Sequence, residues 1–333
     1  MQEDKIISKY PDTARRYPQN NFFENHSKII LSIVTLGSLL IILVLTEFTL
    51  RFFFGLGNPV RYDSNPLYGY RPLPNQEISR YLGAKLKFNN LGLRADKDWD
   101  YSKKDNKILF LGDSVTYGGS FVANNELFST LAVNNIKGYE SGNGGVNAWG
   151  VENIRGLIVE SEFLPAKIYV TVLIENDFYR GITRITGQPY WCTKPVYALR
   201  ELLYYYYCSE GNIKYTGWDD YVTINVRDKI LEKSVIKLKE LDNFLKSKGY
   251  IHLIYISPIR DQVLNKDVPQ EILSTLFMKH NLDVIYLLDR IKALNLSESQ
   301  KMKCYRDDWH LEKEGHIIWG EIINSDLKKI LEK

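Results

Sequence analysis

Three residues of the types that cooperate in acyl transfer stand in this chain as Ser114, Asp307 and His310. A serine hydroxyl is a poor nucleophile until a base within hydrogen-bond reach takes its proton. Histidine suits that task near neutral pH, and a carboxylate holds the imidazole in the required tautomer. In Asp307-Asp308-Trp309-His310 a single turn carries both the acid and the base. The residues predict a catalytic triad of Ser114, His310 and Asp307, with Asp308 left open as the alternative partner of the histidine.

The surroundings of Ser114 suit a nucleophile. It follows Lys107–Gly112, an apolar run typical of a buried parallel strand, and it precedes a helical pattern. Free N–H groups at such a point favour a developing oxyanion. The alternatives are a serine that only caps a helix and, for His310, a surface histidine that caps the last helix. The remaining histidines precede the apolar N-terminal segment, lie in a predicted strand or lack the carboxylate spacing: His26, His252, His280 and His316.

Two further segments carry candidate hydrogen-bond donors for an oxyanion. Glu175-Asn176-Asp177 follows the apolar run 168–174, and an Asn amide placed there can donate to developing negative charge. Residues 143–150 read Asn-Gly-Gly-Val-Asn-Ala-Trp-Gly, in which the glycines let the backbone approach a ligand and offer N–H groups. The alternative for both segments is an ordinary turn.

Apolar runs alternate with helical patterns from about residue 105 onward. Buried strands are predicted at 107–112, 138–141, 168–174, 251–257 and 283–289, and helices at 125–136, 226–248 and 312–332. This alternation predicts an α/β fold with a parallel sheet covered by helices on both faces. Because the loops at the carboxyl ends of parallel strands meet at one edge, the blocks around Ser114 and Asn176 are expected to lie together.

An apolar segment near the N-terminus, Ile29 to Thr46, runs for 18 residues without a charge, which is long enough to cross a membrane. A cleaved signal peptide is the main alternative. The 28 preceding residues and the lack of a small-residue cleavage site favour an uncleaved signal anchor at 29–50. Five lysines and arginines precede the span and two follow it closely, which predicts a cytoplasmic tail at 1–28 and an extracytoplasmic domain.

The overall composition argues against several other classes of protein. The net charge is +3 with no basic stripe, so nucleic acid is not an expected partner. The cysteines at 192, 208 and 304 lack metal-site spacing, and no cofactor or metal is predicted. Export would permit a disulfide between Cys192 and Cys208. The Tyr-rich segment 178–228 is predicted to be an insertion, either a lid or substrate wall over the site or a locally packed subdomain.

Taken in order, these blocks resemble those of the SGNH, or GDSL, family of serine esterases, over roughly residues 105–333. The resemblance implies a three-layer α/β/α fold with a flavodoxin-like parallel sheet. It implies Ser114 as nucleophile, His310 as base and Asp307 as its orienting acid. The same resemblance places the backbone N–H groups of Ser114 and Ala148, with the Asn176 amide, in the oxyanion hole.

Two short segments and two single positions refine this resemblance. The stretches 90–94 (Asn-Leu-Gly-Leu-Arg) and 47–51 are similar to those of single-pass, membrane-anchored bacterial members. The chain departs from the family pattern at Ala148 and at Ile174, where the family has glycine. Alanine keeps the backbone N–H that position 148 must supply, so function is expected to survive there if φ is allowed. The departure at Ile174 weakens the oxyanion-hole assignment more than it weakens the triad assignment.

The predicted function is hydrolysis of an ester through an acyl-enzyme, on carbohydrate or lipid of the cell envelope. The hydrolase domain is expected at 106–333, after a linker and lead-in at 51–105. Two alternatives stay open: an O-acyltransferase that modifies an envelope polysaccharide, and a non-catalytic envelope protein that binds or assembles. Hydrolysis and transfer share one acyl-enzyme, whereas a binding module has no need of a complete triad.

Overall fold

The computed structural model of the chain describes residues 22–80, 83–183, 190–209, 224–269 and 271–332. Its described residues form nine strands: β1 (Tyr62–Asn65), β2 (Gly69–Pro72), β3 (Gln76–Ser79), β4 (Lys85–Phe88), β5 (Lys107–Gly112), β6 (Glu140–Asn143), β7 (Ile168–Leu173), β8 (Ile251–Ile256) and β9 (Ile285–Tyr286). The last five make one parallel sheet in the order β6-β5-β7-β8-β9. The chain passes from β5 to the edge strand β6 and then back across β5 to β7. The order in which strands are added to the sheet therefore reverses at β5, although all five strands stay parallel. Ligand crevices form at such a reversal.

The two central strands are apolar because helices cover both of their faces. Every residue of β5 and β7 is buried, and alternate side chains enter two separate cores. Leu109 and Leu111 belong to one core, whereas Ile108 and Phe110 belong to the other. The continuous apolar runs of the sequence therefore reflect burial on both sides of a parallel sheet. The predicted three-layer α/β/α architecture is confirmed.

The described α-helices are α1 (Phe22–Asn25), α2 (Ser27–Phe54), α3 (Ser114–Tyr117), α4 (Phe128–Leu131), α5 (Val151–Arg155), α6 (Ala198–Ser209), α7 (Ile224–Ser247), α8 (Arg260–Val263), α9 (Glu271–Lys279), α10 (Leu287–Ala293), α11 (Glu298–Lys303) and α12 (Lys313–Leu331). Side chains of α5, α7 and α9 fill one core, and those of α4, α10 and α12 fill the other. The long helix α7 buries a stripe with helical spacing that begins Leu231, Val235, Leu238. Gly249, at φ 73°, follows α7 as its left-handed terminator.

The segment 51–105, predicted to be a linker and lead-in, is folded onto the domain. It forms two antiparallel hairpins, β1 with β2 and β3 with β4. Their side chains, among them Tyr70, Leu86 and Phe88, are buried in the same core as α5 and α7. Arg94 then pairs with Asn143 through two backbone hydrogen bonds of 2.8 and 3.1 Å, which joins the lead-in to the edge of the parallel sheet.

Two predicted elements differ from the structure. The run Asp283 to Asp289, predicted to be a strand, pairs only at Ile285–Tyr286 and then turns into α10. Leu287 and Ile291 are one helical turn apart and both are buried, so packing of a helix face decides the conformation. The predicted helix 125–136 is reduced to a 3₁₀ turn, Asn124–Glu126, followed by the single turn α4.

The N-terminal apolar segment lies within α2, whose length and composition suit a membrane span or a signal sequence. None of the residues in this helix is buried. Residues Met1–Phe48 and Thr49–Lys333 form two separate compact units. The predicted disulfide is not formed at Cys192, which is an exposed free thiol, and the side chain of Cys208 lies outside the described residues.

Candidate active site

The structure brings Ser114, His310 and Asp307 into one chain of hydrogen bonds. The Ser114 hydroxyl lies 3.0 Å from Nε2 of His310, and Nδ1 of the same ring lies 2.7 Å from Asp307 Oδ2. The serine and the histidine are 196 residues apart in sequence and meet because both loops end at the carboxyl edge of the sheet. This arrangement allows the imidazole to accept the hydroxyl proton while the carboxylate fixes its tautomer.

The two adjacent aspartates have separate partners. Oδ1 of Asp307 also accepts hydrogen bonds from the backbone N–H groups of Trp309 (2.9 Å) and His310 (2.8 Å). Partial burial acts to raise the pKa of Asp307, but the hydrogen bonds from the His310 backbone and ring outweigh it and lower the pKa. Asp308 instead forms a salt bridge with Arg260. The geometry therefore pairs Asp307, and not Asp308, with the imidazole.

Ser114 is held at a tight turn between β5 and α3. Asp113 is the N-cap residue of α3, and its carboxylate accepts a 2.8 Å hydrogen bond from the Val115 N–H. The capping role considered for Ser114 thus belongs to its neighbour. The serine hydroxyl lies 3.0 Å from His310 Nε2 and also reaches Asp113 Oδ2 at 3.4 Å. A Cβ atom at Gly112 would overlap the Val172 carbonyl and the Thr116 hydroxyl, so glycine lets the turn lie against β7.

A cleft of about 390 Å³ opens beside Ser114 and His310. The predicted oxyanion-hole residues, Ala148 and Asn176, both line it. Its walls also include the residues Phe121, Gly119, Asn147, Ile174, Arg180 and Trp309. Ser114, Ala148 and Asn176 therefore line the same cleft as His310.

The two departures from glycine have different backbone consequences. Ala148 has a φ of 61°, in the left-handed region that favours glycine. Ile174 has a φ of −99° and a ψ of 161°, which any residue adopts. Backbone strain therefore falls at Ala148, whose φ lies in the left-handed region, and not at Ile174.

The peptide that joins Asn147 to Ala148 is held from behind by two tyrosines. The hydroxyl of Tyr70 donates to the Asn147 carbonyl at 2.6 Å, and that of Tyr190 donates to the same oxygen at 3.2 Å. In a trans peptide the carbonyl and the following N–H point in opposite directions. Fixing the Asn147 carbonyl therefore also fixes the direction of the Ala148 N–H.

A buried guanidinium balances the acidic groups beneath Ser114. Arg180 contacts Asp177 at 2.6 Å, Asp113 at 3.4 Å and the Trp149 carbonyl at 3.1 Å. Burial and the neighbouring Asp113 carboxylate raise the pKa of Asp177, against the lowering effect of Arg180. Because Asp113 is next to Ser114, this compensation limits the negative field at the position where an oxyanion would develop.

A second hydroxyl–imidazole–carboxylate array lies within the core. His252 Nε2 is 2.9 Å from the Thr171 hydroxyl, and its Nδ1 is 3.1 Å from Asp242. Thr171 is fully buried, so no substrate reaches this array. Burial lowers the pKa of His252, and the array ties α7 to β7 and β8.

His316 is likewise buried, which lowers its pKa to about 3, and its Nδ1 accepts the Phe128 N–H.

Sequence patterns did not identify several residues that shape the site. Arg94 is 1% exposed, and its guanidinium donates to the carbonyls of Tyr117, Gly119 and Val122 at 2.5, 2.9 and 2.6 Å. It therefore braces the loop that carries Phe121 into the cleft. An arginine in a short Asn-Leu-Gly-Leu-Arg motif was a visible signal, but nothing local indicated its distant partners.

No group of three or more histidine, cysteine or acidic side chains that could hold a metal ion occurs among the described residues. No protein-family model matches the chain, and no curated protein matches it.

Several solved structures are similar to it. An acetyl xylan esterase, AlAXEase, is 18% identical, with 66% of this chain and 99% of that chain covered at a TM-score of 0.42. A lipase/acylhydrolase from Enterococcus faecalis is 16% identical, with coverages of 67% and 96% and a TM-score of 0.40. A lipolytic protein of the G-D-S-L family from Veillonella parvula is 13% identical, with coverages of 65% and 94% and a TM-score of 0.37. At these identities the likeness concerns the fold alone.

Proposed function

We propose that the chain is a membrane-anchored serine ester hydrolase that works through an acyl-enzyme. The observation that carries this proposal is the continuous hydrogen-bonded chain from Ser114 through His310 to Asp307, at the wall of an open cleft. A purely structural serine or a surface histidine would need neither this alignment nor the adjacent cleft. The substrate class proposed is an acylated carbohydrate or lipid, because Phe121 and Trp309 offer aromatic faces that suit sugar rings and acyl chains.

The proposed reaction has two halves. Ser114 Oγ attacks the ester carbonyl while His310 Nε2 takes its proton, and Asp307 stabilises the resulting imidazolium. The carbonyl oxygen becomes an oxyanion that accepts hydrogen bonds from the Ser114 N–H, the Ala148 N–H and the Asn176 amide. Collapse breaks the ester bond, and the alcohol leaves with the proton from His310. Water then attacks the acyl-enzyme by the same route, which frees Ser114.

A fluorophosphonate probe tests the nucleophile directly. The full chain is expected to gain one adduct, mapped to Ser114 by peptide mass, with release of a burst of product from an activated aryl ester. The Ser114→Ala variant should gain no adduct. The Ser64→Ala variant, which changes an exposed serine in the first strand of the lead-in, should be labelled normally. A folded chain without any adduct at Ser114 would favour a non-catalytic envelope module instead.

The proposed location is a single-pass membrane protein with an extracytoplasmic catalytic domain. The excess of basic residues before Ile29 supports a cytoplasmic N-terminus. Protease is added to spheroplasts, in which the outer face of the cytoplasmic membrane is exposed. It should digest peptides that contain Ser114. Full protection of these peptides, with a known external domain digested in the same sample, would reverse the orientation.

A further inference from the structure

Helix α6 carries an apolar face on its outside. Leu202, Leu203, Tyr206 and Tyr207 are 41%, 59%, 64% and 53% exposed. Each of these residues is three or four positions from another member of the set, so the four side chains form a single stripe that spans about 140° of the helix surface. An ordinary surface helix buries such a stripe against the core, whereas α6 presents it outward.

The inward face of α6 carries a charge, which fixes this inverted orientation. Glu201 is fully buried and forms a 2.7 Å salt bridge with Arg80. Its other carboxylate oxygen accepts a 2.6 Å hydrogen bond from the Gly57 N–H. A buried carboxylate with these partners cannot be turned to the outside without losing both of them. The apolar stripe of α6 is therefore held outward by the polar contacts of Glu201.

The segment that precedes α6 also contacts Arg51, which belongs to the same compact unit as α6. Arg51, in the last turn of α2, donates a 2.7 Å hydrogen bond to the Val196 carbonyl, just before α6 begins. Arg51 lies five residues beyond Thr46, the end of the apolar segment, and five residues span at most roughly 18 Å. The unit that carries α6 is therefore tethered close to the surface of any membrane that this segment crosses. Phe53 and Phe54, in the same turn, are also exposed.

We propose that the exposed stripe of α6 rests in the interfacial layer of the membrane that the N-terminal helix crosses. The partner is a phospholipid surface, since tyrosine and leucine are suited to the boundary between acyl chains and headgroups. The contact would hold the domain at a fixed orientation on the bilayer. This inference rests on the proposed membrane anchor and does not depend on the proposed chemistry.

Photo-crosslinking of the full chain in phospholipid nanodiscs tests the contact. Leu203→benzoylphenylalanine is expected to form phospholipid adducts at several times the yield of Val268→benzoylphenylalanine, whose site is 77% exposed but lies outside the stripe. Leu40→benzoylphenylalanine, within the apolar segment, reports on the anchor itself. Lipid adducts at Leu40 without any excess at Leu203 would overturn the α6 contact while leaving the anchor intact. A Leu203 adduct to a second copy of the chain would overturn it as well, and the absence of lipid at Leu40 would overturn both proposals.

Hydroxyl-radical footprinting gives the same test without a substitution. Tyr207 is 53% exposed and Tyr101 is 42% exposed, so free in solution Tyr207 should be oxidised at least as fast as Tyr101. In nanodiscs Tyr207 is expected to react several-fold more slowly than Tyr101. Equal or faster oxidation of Tyr207 in nanodiscs would overturn the proposal. Labelling of Ser114 by the fluorophosphonate probe in the same samples checks the catalytic domain independently of this contact.

Discussion

Tyr70 and Tyr190 are predicted to position the Ala148 N–H, and removing their hydroxyls tests this role. Tyr70→Phe and Tyr190→Phe each delete one hydrogen bond to the Asn147 carbonyl and keep the ring. The ring matters for packing, because the Tyr70 ring contacts Tyr62 and Tyr190 at centroid distances of 6.0 and 5.0 Å. The substitutions therefore change the polarity behind one peptide and leave the apolar contacts in place.

The size of the effect follows from the two hydrogen-bond lengths. A neutral hydrogen bond contributes about 0.5–1.5 kcal/mol net, and hydrogen bonds to a peptide carbonyl also strengthen the N–H of that peptide as a donor. If that energy is expressed in the transition state, it corresponds to roughly a 2- to 10-fold change in kcat. The 2.6 Å bond of Tyr70 should give the upper part of this range, and the 3.2 Å bond of Tyr190 the lower part. The variant that carries both substitutions should lose no more kcat than an enzyme that lacks an oxyanion donor altogether, which is a loss of about 10²–10³.

The assay separates positioning from general stability. We expect Tyr70→Phe to lower kcat on an activated aryl ester with KM nearly unchanged, because the contact with the oxyanion forms only in the transition state. Tyr255→Phe is the matched control, since Tyr255 is also fully buried and its hydroxyl bonds Asp326, away from the cleft. Urea unfolding measures the stability of each variant. If Tyr70→Phe and Tyr255→Phe lose similar stability and neither changes kcat, Tyr70 has only a structural role and the reasoning fails.

Further substitutions test the remaining site residues. Ala148→Gly should leave kcat within a few-fold of the unchanged protein. It should raise the free energy of unfolding by about 0–1 kcal/mol, since relief of the left-handed strain exceeds the entropy cost of glycine. A clear loss of stability in urea unfolding would contradict this expectation. Asn176→Ala should lower kcat by about 10²–10³ through loss of an oxyanion donor, and near-normal kcat in the folded variant would place the hole elsewhere. Asp307→Asn should lower kcat by roughly 10⁴ through the wrong imidazole tautomer, while Asp308→Asn should be mild because its partner is Arg260. The reverse order of damage in steady-state kinetics would reassign the acid.

The elements that sequence patterns predicted well are those whose conformation is decided locally or by burial on both faces. The strands β5, β7 and β8 appear as uninterrupted apolar runs because helices cover both sides of them. The pairing of Asp307 with His310 was visible because the two residues are three positions apart in the sequence. Ser114 could be assigned only through the topology, because parallel strands bring their carboxyl ends to one edge.

The residues that sequence patterns missed act across long separations. Tyr70 and the carbonyl that it contacts are 77 residues apart, and Arg94 reaches carbonyls 23 to 28 residues away. A backbone carbonyl has no residue type, so no pattern of letters reveals which side chain will bind it. The difference at 283–289 has another cause, because a short apolar run fits a strand and a buried helix equally well.

The two departures from glycine show what residue identity alone does not reveal about the candidate oxyanion hole. A missing glycine matters only where φ is positive or where a Cβ would collide, and neither property is written in the sequence. At Ile174 the backbone is extended, so the side chain is accommodated and buried. At Ala148 the backbone is left-handed, and the strain is retained because the Asn147 carbonyl is held by Tyr70 and Tyr190.

The lead-in segment is therefore part of the candidate site, although the catalytic motifs all lie after it. Tyr70 fixes the peptide that supplies one proposed oxyanion donor, and Arg94 braces the loop that carries Phe121. The Arg94 guanidinium is buried, which lowers its pKa to about 10, and the loop carbonyls replace the water that would otherwise solvate it. Removal of the lead-in would leave those carbonyls without their donor and uncover the core behind the Ser114 turn. The covalent connection between the apolar N-terminal helix and the parallel sheet is thus also the support that shapes the cleft.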